Sequence, residues 1–273
     1  MNILTFDTEE WFNYARSGLK GNYLPEVDRV QRELLDKLDA HGVKATFFVL
    51  GVVAREYPYV VKEICARGHD IGCHSDLHCK LWQLSDQQMI DDTHQALDSI
   101  EQLIGKKVTA YRAPAFSIGQ KNVHFLEILA SQGITTDCSI FPGVRDFGGF
   151  PQFSEGTPCI VSHNGVELKE LPICLTSVLG RRIAYSGGGY FRILPYFWIK
   201  HIVSNNSYNM MYMHVHDFNA KQKRIISTRY FKNYYGNRWS MGKLERLLSD
   251  FRFTNVVSAV SSINWSDVKV IQV

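Results

Sequence analysis

Short apolar runs of strand length alternate with helical periods along most of this chain, and run after run ends on a titratable side chain. Asn2 to Phe6 reads as a strand and ends on Asp7-Thr8-Glu9-Glu10. Pro25 to Gly42 carries Val27, Val30, Leu34, Leu35 and Leu38 at helical spacing and stops at glycine. Lys44 to Leu50 is a buried-strand run, Tyr59 to Arg67 a helix, and His69 to Cys73 a third strand that delivers His74-Ser75-Asp76-Leu77-His78. Ser85 with Gln88 has capping-box spacing and opens a helix that ends at Gly105. Val108 to Tyr111 is a fourth strand, ending on Arg112-Ala113-Pro114. Val123 to Gln132 is a helix and Ile134 to Cys138 a fifth strand. Val166 to Leu171 and Asn209 to His214 are the sixth and seventh strands. Helices are expected near Pro195 to Val203 and from Gly242 to Phe251, and Ser186 to Arg192 reads as a flexible glycine turn. Such alternation argues an α/β fold with a parallel sheet, either a (β/α) barrel or a doubly wound sheet.

Composition narrows the functional classes. The chain has 273 residues, 45% of them hydrophobic, so it can bury a large core. A net charge of +3 without like-charge runs does not call for nucleic acid. The loose basic stretch from Lys221 to Arg238, with Tyr230, Phe231, Tyr234 and Tyr235, reads as a solvated surface. There is no run of about 18 apolar residues to span a membrane. The acidic N-terminus does not read as a signal peptide. Six cysteines without a CxxC pair are then expected to be reduced, which places the protein in the cytoplasm. A Cys73, His74, His78, Cys79 zinc cage is disfavoured, because neighbours on a strand face opposite ways.

The polar strand ends are where chemistry is expected. In a parallel barrel they share one rim, which would gather Asp7, Glu9, His74, His78, Arg112, Asp137 and His214. On a helical turn, His74 and His78 share a face and can reach one metal ion. Two imidazoles and a carboxylate leave an open position on zinc, and such an ion activates water and polarises a carbonyl. A second carboxylate can act as base and a separate histidine as acid. The set reads as metal-assisted hydrolysis of an amide or ester.

Thr5-Phe6-Asp7-Thr8-Glu9, His74-Ser75-x-x-His78, Arg112-Ala113-Pro114, Asp137-x-Ser139 and His214, in that order, resemble the polysaccharide deacetylase family, carbohydrate esterase family 4. Residues 6–12, 111–117 and 186–196 are closest to a subgroup found beside bacterial surface-polysaccharide genes. The resemblance implies a distorted (β/α) barrel of about seven parallel strands. The whole chain, 1–273, would form one such domain, with an irregular insertion near 142–165 and a helical extension after 218. It implies Asp7 as catalytic base, Arg112 as the residue orienting it, His214 as acid and Asp137 as the carboxylate tuning that acid. It implies His74 and His78 as ligands of a divalent metal, most simply zinc. The third ligand departs from the commonest pattern, since Thr8 stands where Asp is usual; Glu9 is the expected ligand and Glu10 the alternative. Phe116, Phe141 and Tyr212 also depart from the family pattern around the pocket.

The implied activity is metal-dependent N-deacetylation of an N-acetylated sugar, oligosaccharide or sugar-carrier. Asp7 would activate water, the metal and a backbone N–H would hold the oxyanion, and His214 would protonate the departing amine. The alternatives are a metal-independent cyclic amide or ureide hydrolase on the same scaffold, and a non-catalytic carbohydrate-binding barrel. Trp11, Phe12 and Trp82 are candidates for stacking on sugar rings or for the core. Asp217 is a second candidate to orient His214, and homo-oligomerisation is left open.

Overall fold

The computed structural model describes residues 1–10, 20–145, 148–178, 181–221 and 234–273. Trp11, Phe12 and most of the basic stretch after Lys221 lie outside them. One nine-stranded sheet organises the rest, in the order β10-β1-β2-β3-β4-β5-β7-β6-β11. Its strands are β1 (Asn2–Thr8), β2 (Thr46–Val49), β3 (Asp70–Cys73), β4 (Ala110–Tyr111), β5 (Thr136–Asp137), β6 (Cys159–His163), β7 (Val166–Glu170), β10 (Asn209–His214) and β11 (Val270–Gln272). From β10 across to β7 all seven strands run parallel, as the alternation predicts. Every residue of β2 and β3 is buried, as in a parallel strand covered on both faces. A separate hairpin pairs β8 (Thr176–Val178) with β9 (Arg181–Ile183).

The two flanks of the parallel set approach each other through side chains. After β7, Tyr208 Oη donates to Pro172 O at 2.9 Å, and Met210 N donates to the Cys174 sulfur at 3.0 Å. Cys174 Sγ in turn donates to Tyr208 O at 3.5 Å. A buried cysteine here ties the segment after β7 to β10.

Helices cover the outer face: α1 (Lys20–Ala40), α2 (Gly51–Glu56), α3 (Pro58–Ala66), α4 (Asp86–Ile104), α5 (Phe125–Ser131), α6 (Gly188–Ile193), α7 (Tyr196–Asn205), α8 (Asn237–Asp250) and α9 (Val256–Ser262). The expected capping box on α4 is present: Ser85 N donates to Gln88 Oε1 at 2.8 Å and Ser85 Oγ accepts from Gln88 N. Gly105 closes that helix in the left-handed conformation, φ 70°.

Two expectations are corrected. The stretch 142–165 contains a regular strand, since Cys159–His163 pairs antiparallel with Val166–Glu170. Asn164 (φ 49°) and Gly165 (φ 82°) form the two-residue turn between them, the backbone that an Asn-Gly hairpin requires. The glycine turn at 186–192 is mostly helix, with Gly188 opening α6. Lys243 of α8 donates to Phe191 O, Arg192 O and Leu194 O at 3.1, 2.7 and 2.8 Å, satisfying carbonyls at the end of α6. Helix α8 therefore packs onto α6. No helix among the described residues is long and apolar enough to cross a membrane.

Candidate active site

Asp7 sits at the C-terminal end of β1, in register with His214 on β10. Alternation along β1 turns Thr5 and Asp7 to the same interior face, and Arg112, wholly buried, meets both. Its Nη1 donates to Asp7 Oδ1 at 2.7 Å and to Thr5 Oγ1 at 2.9 Å, and its Nε to Cys138 O at 3.3 Å. The guanidinium lies 4.1 Å from the centre of the Phe48 ring. Burial would raise the Asp7 carboxyl, but Arg112, with His74 and His214, outweighs it and holds the group below the usual carboxylate range. One oxygen of Asp7 is thus committed to Arg112. The other, Oδ2, faces His214 Nε2 at 3.8 Å and His74 Nε2 at 4.0 Å.

His74 and His78 do meet, but not on a helix. The segment after β3 is a loop in which Ser75 (φ 71°) and His78 (φ 56°) take left-handed backbone. Ser75 Oγ accepts from His78 N at 3.1 Å, and a bidentate pair from Arg55 to Asp76, at 2.6 and 2.9 Å, pins the turn. Left-handed conformation at non-glycine residues costs free energy and persists where the surroundings enforce it, as at ligand sites. The ring centres lie 5.2 Å apart. His74 Nδ1 donates to Arg112 O at 2.7 Å, which leaves the Nε2 lone pair turned towards Glu9.

Glu9 completes the set. One ligand atom from each of Glu9, His74 and His78 lies within 4.8 Å of the others, and Glu9 Oε2 approaches His78 Nε2 to 2.5 Å. Burial alone would raise the Glu9 carboxyl; His78, His214 and His74 hold it well below the ordinary range. Burial pushes His74 down to about 4, so its imidazole is neutral near pH 7, as a ligand must be. The donor set fits a divalent ion: two imidazoles and a carboxylate, with Glu9 Oε2 buried beside His78 Nε2. Glu10 is engaged elsewhere, accepting from His216 N at 3.2 Å and contacting His216 Nδ1 at 2.9 Å. Neither Cys73 nor Cys79 joins the cluster.

His214 closes the site from β10. Asp217 stands behind it, with Oδ2 accepting from His214 N at 2.9 Å and lying 3.4 Å from Nδ1. Asp217 Oδ1 is paired with buried Arg192 Nε at 2.9 Å. Burial would lower the His214 imidazole, but Asp217, Glu9 and Asp7 raise it to about 10, so it carries a proton at neutral pH. Asp137 does not fill the place expected of it. Its hydroxyl donor is Ser139 Oγ, which also accepts from Ala113 N at 2.7 Å, and its register partner across β5 and β7 is Glu170. Burial raises both carboxyls, Glu170 well above its usual range, so Asp137 belongs to a buried acid pair beneath the rim. The carboxylate on His214 is Asp217, with Arg192 as its counter-charge. His214-x-x-Asp217 was a readable signal for the first; Arg192, on a helix taken for a turn, had none. Trp82 is half exposed and lines a groove with Ser117, Asn122 and Gly149, with Lys80 Nζ 5.4 Å from its ring centre.

Two segments of the chain match known family models. Residues 2–136 match the family model described as polysaccharide deacetylase. They form a polysaccharide deacetylase domain. Residues 138–261 match a second model, described as a domain of unknown function, DUF3473. A peptidoglycan-N-acetylglucosamine deacetylase from Bacillus cereus is 32% identical over 103 residues, which is 38% of this chain and 37% of that protein. The chain thus matches well under half the length of that curated relative. A Mycobacterium smegmatis structure, provisionally assigned as a polysaccharide deacetylase, superposes with TM-score 0.68 at 17% identity, over 97% of this chain and 90% of that one. A family 4 carbohydrate esterase from Streptomyces lividans gives TM-score 0.52 at 16% identity, over 93% and 90%. At these identities the structural likeness is one of fold. Asp7, Glu9, His74, His78 and Arg112 come from the deacetylase domain, and His214, Asp217 and Arg192 from the second segment.

Proposed function

We propose that this chain is a metal-dependent N-deacetylase that hydrolyses the acetamido group of an N-acetylated sugar. The observation that carries the reading is the approach of Asp7 Oδ2 to His214 Nε2, 3.8 Å, beside Glu9, His74 and His78. A divalent ion held by Glu9, His74 and His78, zinc by the donor types, would supply Lewis acidity and lower the pKa of water. Asp7, charged and oriented by Arg112, accepts the proton of the attacking water on Oδ2. The water oxygen bonds to the acetyl carbon. His214, held by Asp217, gives its proton to the nitrogen as the C–N bond breaks, and acetate and a free amino sugar leave. Two groups with environments that push their proton affinities apart, one down and one up, suit base and acid at the same pH.

The two matched segments would then act as one barrel domain, since neither holds both base and acid. We further propose a precursor of a bacterial surface polysaccharide, met in the cytoplasm, as the substrate. The subgroup resemblance and six cysteines without a CxxC pair support that setting. Acetate release from N-acetylglucosamine oligomers, with bound metal measured in parallel, tests the core of the reading. Asp7→Asn should abolish turnover and keep the metal, and His74→Ala should lose the metal. An Asp7→Asn protein with the wild-type rate would refute the assignment of the base.

A further inference from the structure

The three positions that depart from the family pattern, Phe116, Phe141 and Tyr212, surround a single cation. Arg145 Cζ lies 4.8 Å from the centre of the Phe116 ring, 5.0 Å from Phe141 and 5.9 Å from Tyr212. All three rings are buried, while Arg145 is half-buried. Phe116 meets Tyr212 edge-on at 4.8 Å and Phe141 at 6.0 Å, so the rings form one wall. Arg145 Nη1 reaches Tyr212 Oη at 3.5 Å. Among the described residues no carboxylate pairs with Arg145.

The place adjoins the site through Tyr212 and Phe116. Tyr212 precedes His214 by two residues on β10 and shares its face, with Thr5 opposite Tyr212 and Asp7 opposite His214. Phe116 stands between two guanidinium groups, 5.7 Å from Arg112, the partner of Asp7, and 4.8 Å from Arg145. The backbone is built to hold this arrangement. Ala115 (φ 56°) and Phe116 (φ 54°) are both left-handed, and Phe116 O accepts from Gly149 N at 2.8 Å. Phe150 N donates to Phe141 O at 2.8 Å, and a Cβ on Gly148 would fall 2.3 Å from Ala115 O. The chain on both sides of Arg145 is thereby fixed to the rim at strained positions.

Aromatic faces stabilise a guanidinium without neutralising it. The fork of N–H donors in the guanidinium plane remains able to take an oxyanion bidentately, which is the chemistry arginine serves better than lysine. We infer that Arg145 is a substrate-binding residue that recognises an oxyanion, carboxylate or phosphate, borne by the N-acetylated sugar. This rests on the deacetylase reading and narrows its substrate to an anionic sugar.

The test measures binding apart from turnover, in wild-type protein and in Arg145→Gln and Arg145→Lys. Calorimetry with N-acetylglucosamine 1-phosphate, N-acetylmuramic acid and uncharged N-acetylglucosamine supplies a phosphate arm, a carboxylate arm and a neutral arm. Wild type should prefer at least one charged probe, and the preferred one identifies the source of the anion. Arg145→Gln should weaken that probe about 10- to 100-fold, the size expected for charged hydrogen bonds, and leave the neutral sugar unchanged. Arg145→Lys should recover part of the loss. Equal weakening of all three probes, or no charge preference in wild type, would overturn the inference. Acetate release from the same probes separates the two readings: charge-dependent binding without any acetate sinks the deacetylase assignment and leaves Arg145 as an anion site.

Discussion

His69 stands at the head of β3, the strand that presents His74 at its other end, and it is almost wholly buried. Its Nδ1 accepts from Ala45 N at 3.2 Å, so the ring proton sits on Nε2, which has no partner. A second proton would have to go on Nδ1, facing an N–H donor. Burial, together with the charges of Lys44 and Arg67, pushes the imidazole down from 6.5 to about 4, against a weaker opposing pull from Asp39. The folded-state value is depressed, so the unfolded chain binds the proton first on acidification. The stabilisation is full above the unfolded value and is lost as pH falls from there through the folded one. With those two values, going from about pH 8 to about pH 5 removes about 2 kcal/mol through this side chain alone. Urea unfolding at the two pH values, on wild type and on His69→Asn, isolates the effect. Asparagine keeps an acceptor near Nδ1 but does not titrate, and subtracting its pH dependence removes the shared contribution of His74 and the carboxylates. An equal pH dependence in the two proteins would refute the reasoning.

Three further outcomes follow from the site. Asp217→Asn should lower the His214 proton affinity and shift the alkaline limb of the kcat/KM profile to lower pH, whereas Asp137→Asn should leave that limb in place; the reverse result would return the role to Asp137. Asp217→Asn also removes the counter-charge of buried Arg192 and should cost about 3–5 kcal/mol in chemical denaturation. A Cβ on Gly188 would fall 1.7 Å from Asp217 Oδ2, so Gly188→Ala should depress kcat with metal content unchanged, while Gly189→Ala, whose Cβ meets nothing nearer than 4.0 Å, should be tolerated. Glu9→Gln should weaken metal binding at least tenfold in a chelator competition and Glu10→Gln should not, since Glu10 serves His216.

The parallel sheet was legible because its signals are local. Buried runs such as Thr46–Val49 and Asp70–Cys73, the Ser85–Gln88 cap and the stop at Gly105 each lie within a few residues of chain. The hairpin at Asn164-Gly165 was equally local and was overlooked because the residues before it are rich in Gly, Pro and Ser. Other features had no local signal. That β11 pairs with β6 depends on a return from the far end of the chain. Asp137 could be placed at a strand end from sequence, but its partners depend on which strand lies beside β5. With β7 there, Glu170 takes the neighbouring position and draws Asp137 into an acid pair, away from His214. The meeting of His74 and His78 was foreseen for the wrong geometric reason, a helical turn in place of a left-handed loop.

The carboxylate at the metal cluster shows how strand geometry constrains chemistry. On β1, Thr5 and Asp7 turn inward to Arg112, and Thr8 is out of phase with them. An aspartate at position 8 would leave a strand that points the wrong way unless the chain bent directly after Asp7. This chain continues in register with β2 as far as Thr8 and Val49, and so the next residue on the inward face is Glu9. The extra methylene of glutamate then serves a purpose, because position 9 lies beyond the strand end and its carboxylate has to reach back to His74 and His78. Glu9→Asp keeps the charge and removes the reach. If strand phase sets the ligand, Glu9→Asp should bind metal nearly as poorly as Glu9→Gln, and Thr8→Asp added to Glu9→Gln should not restore it. Recovery in that double variant would show that the loop, not the register of β1, decides which carboxylate serves the site.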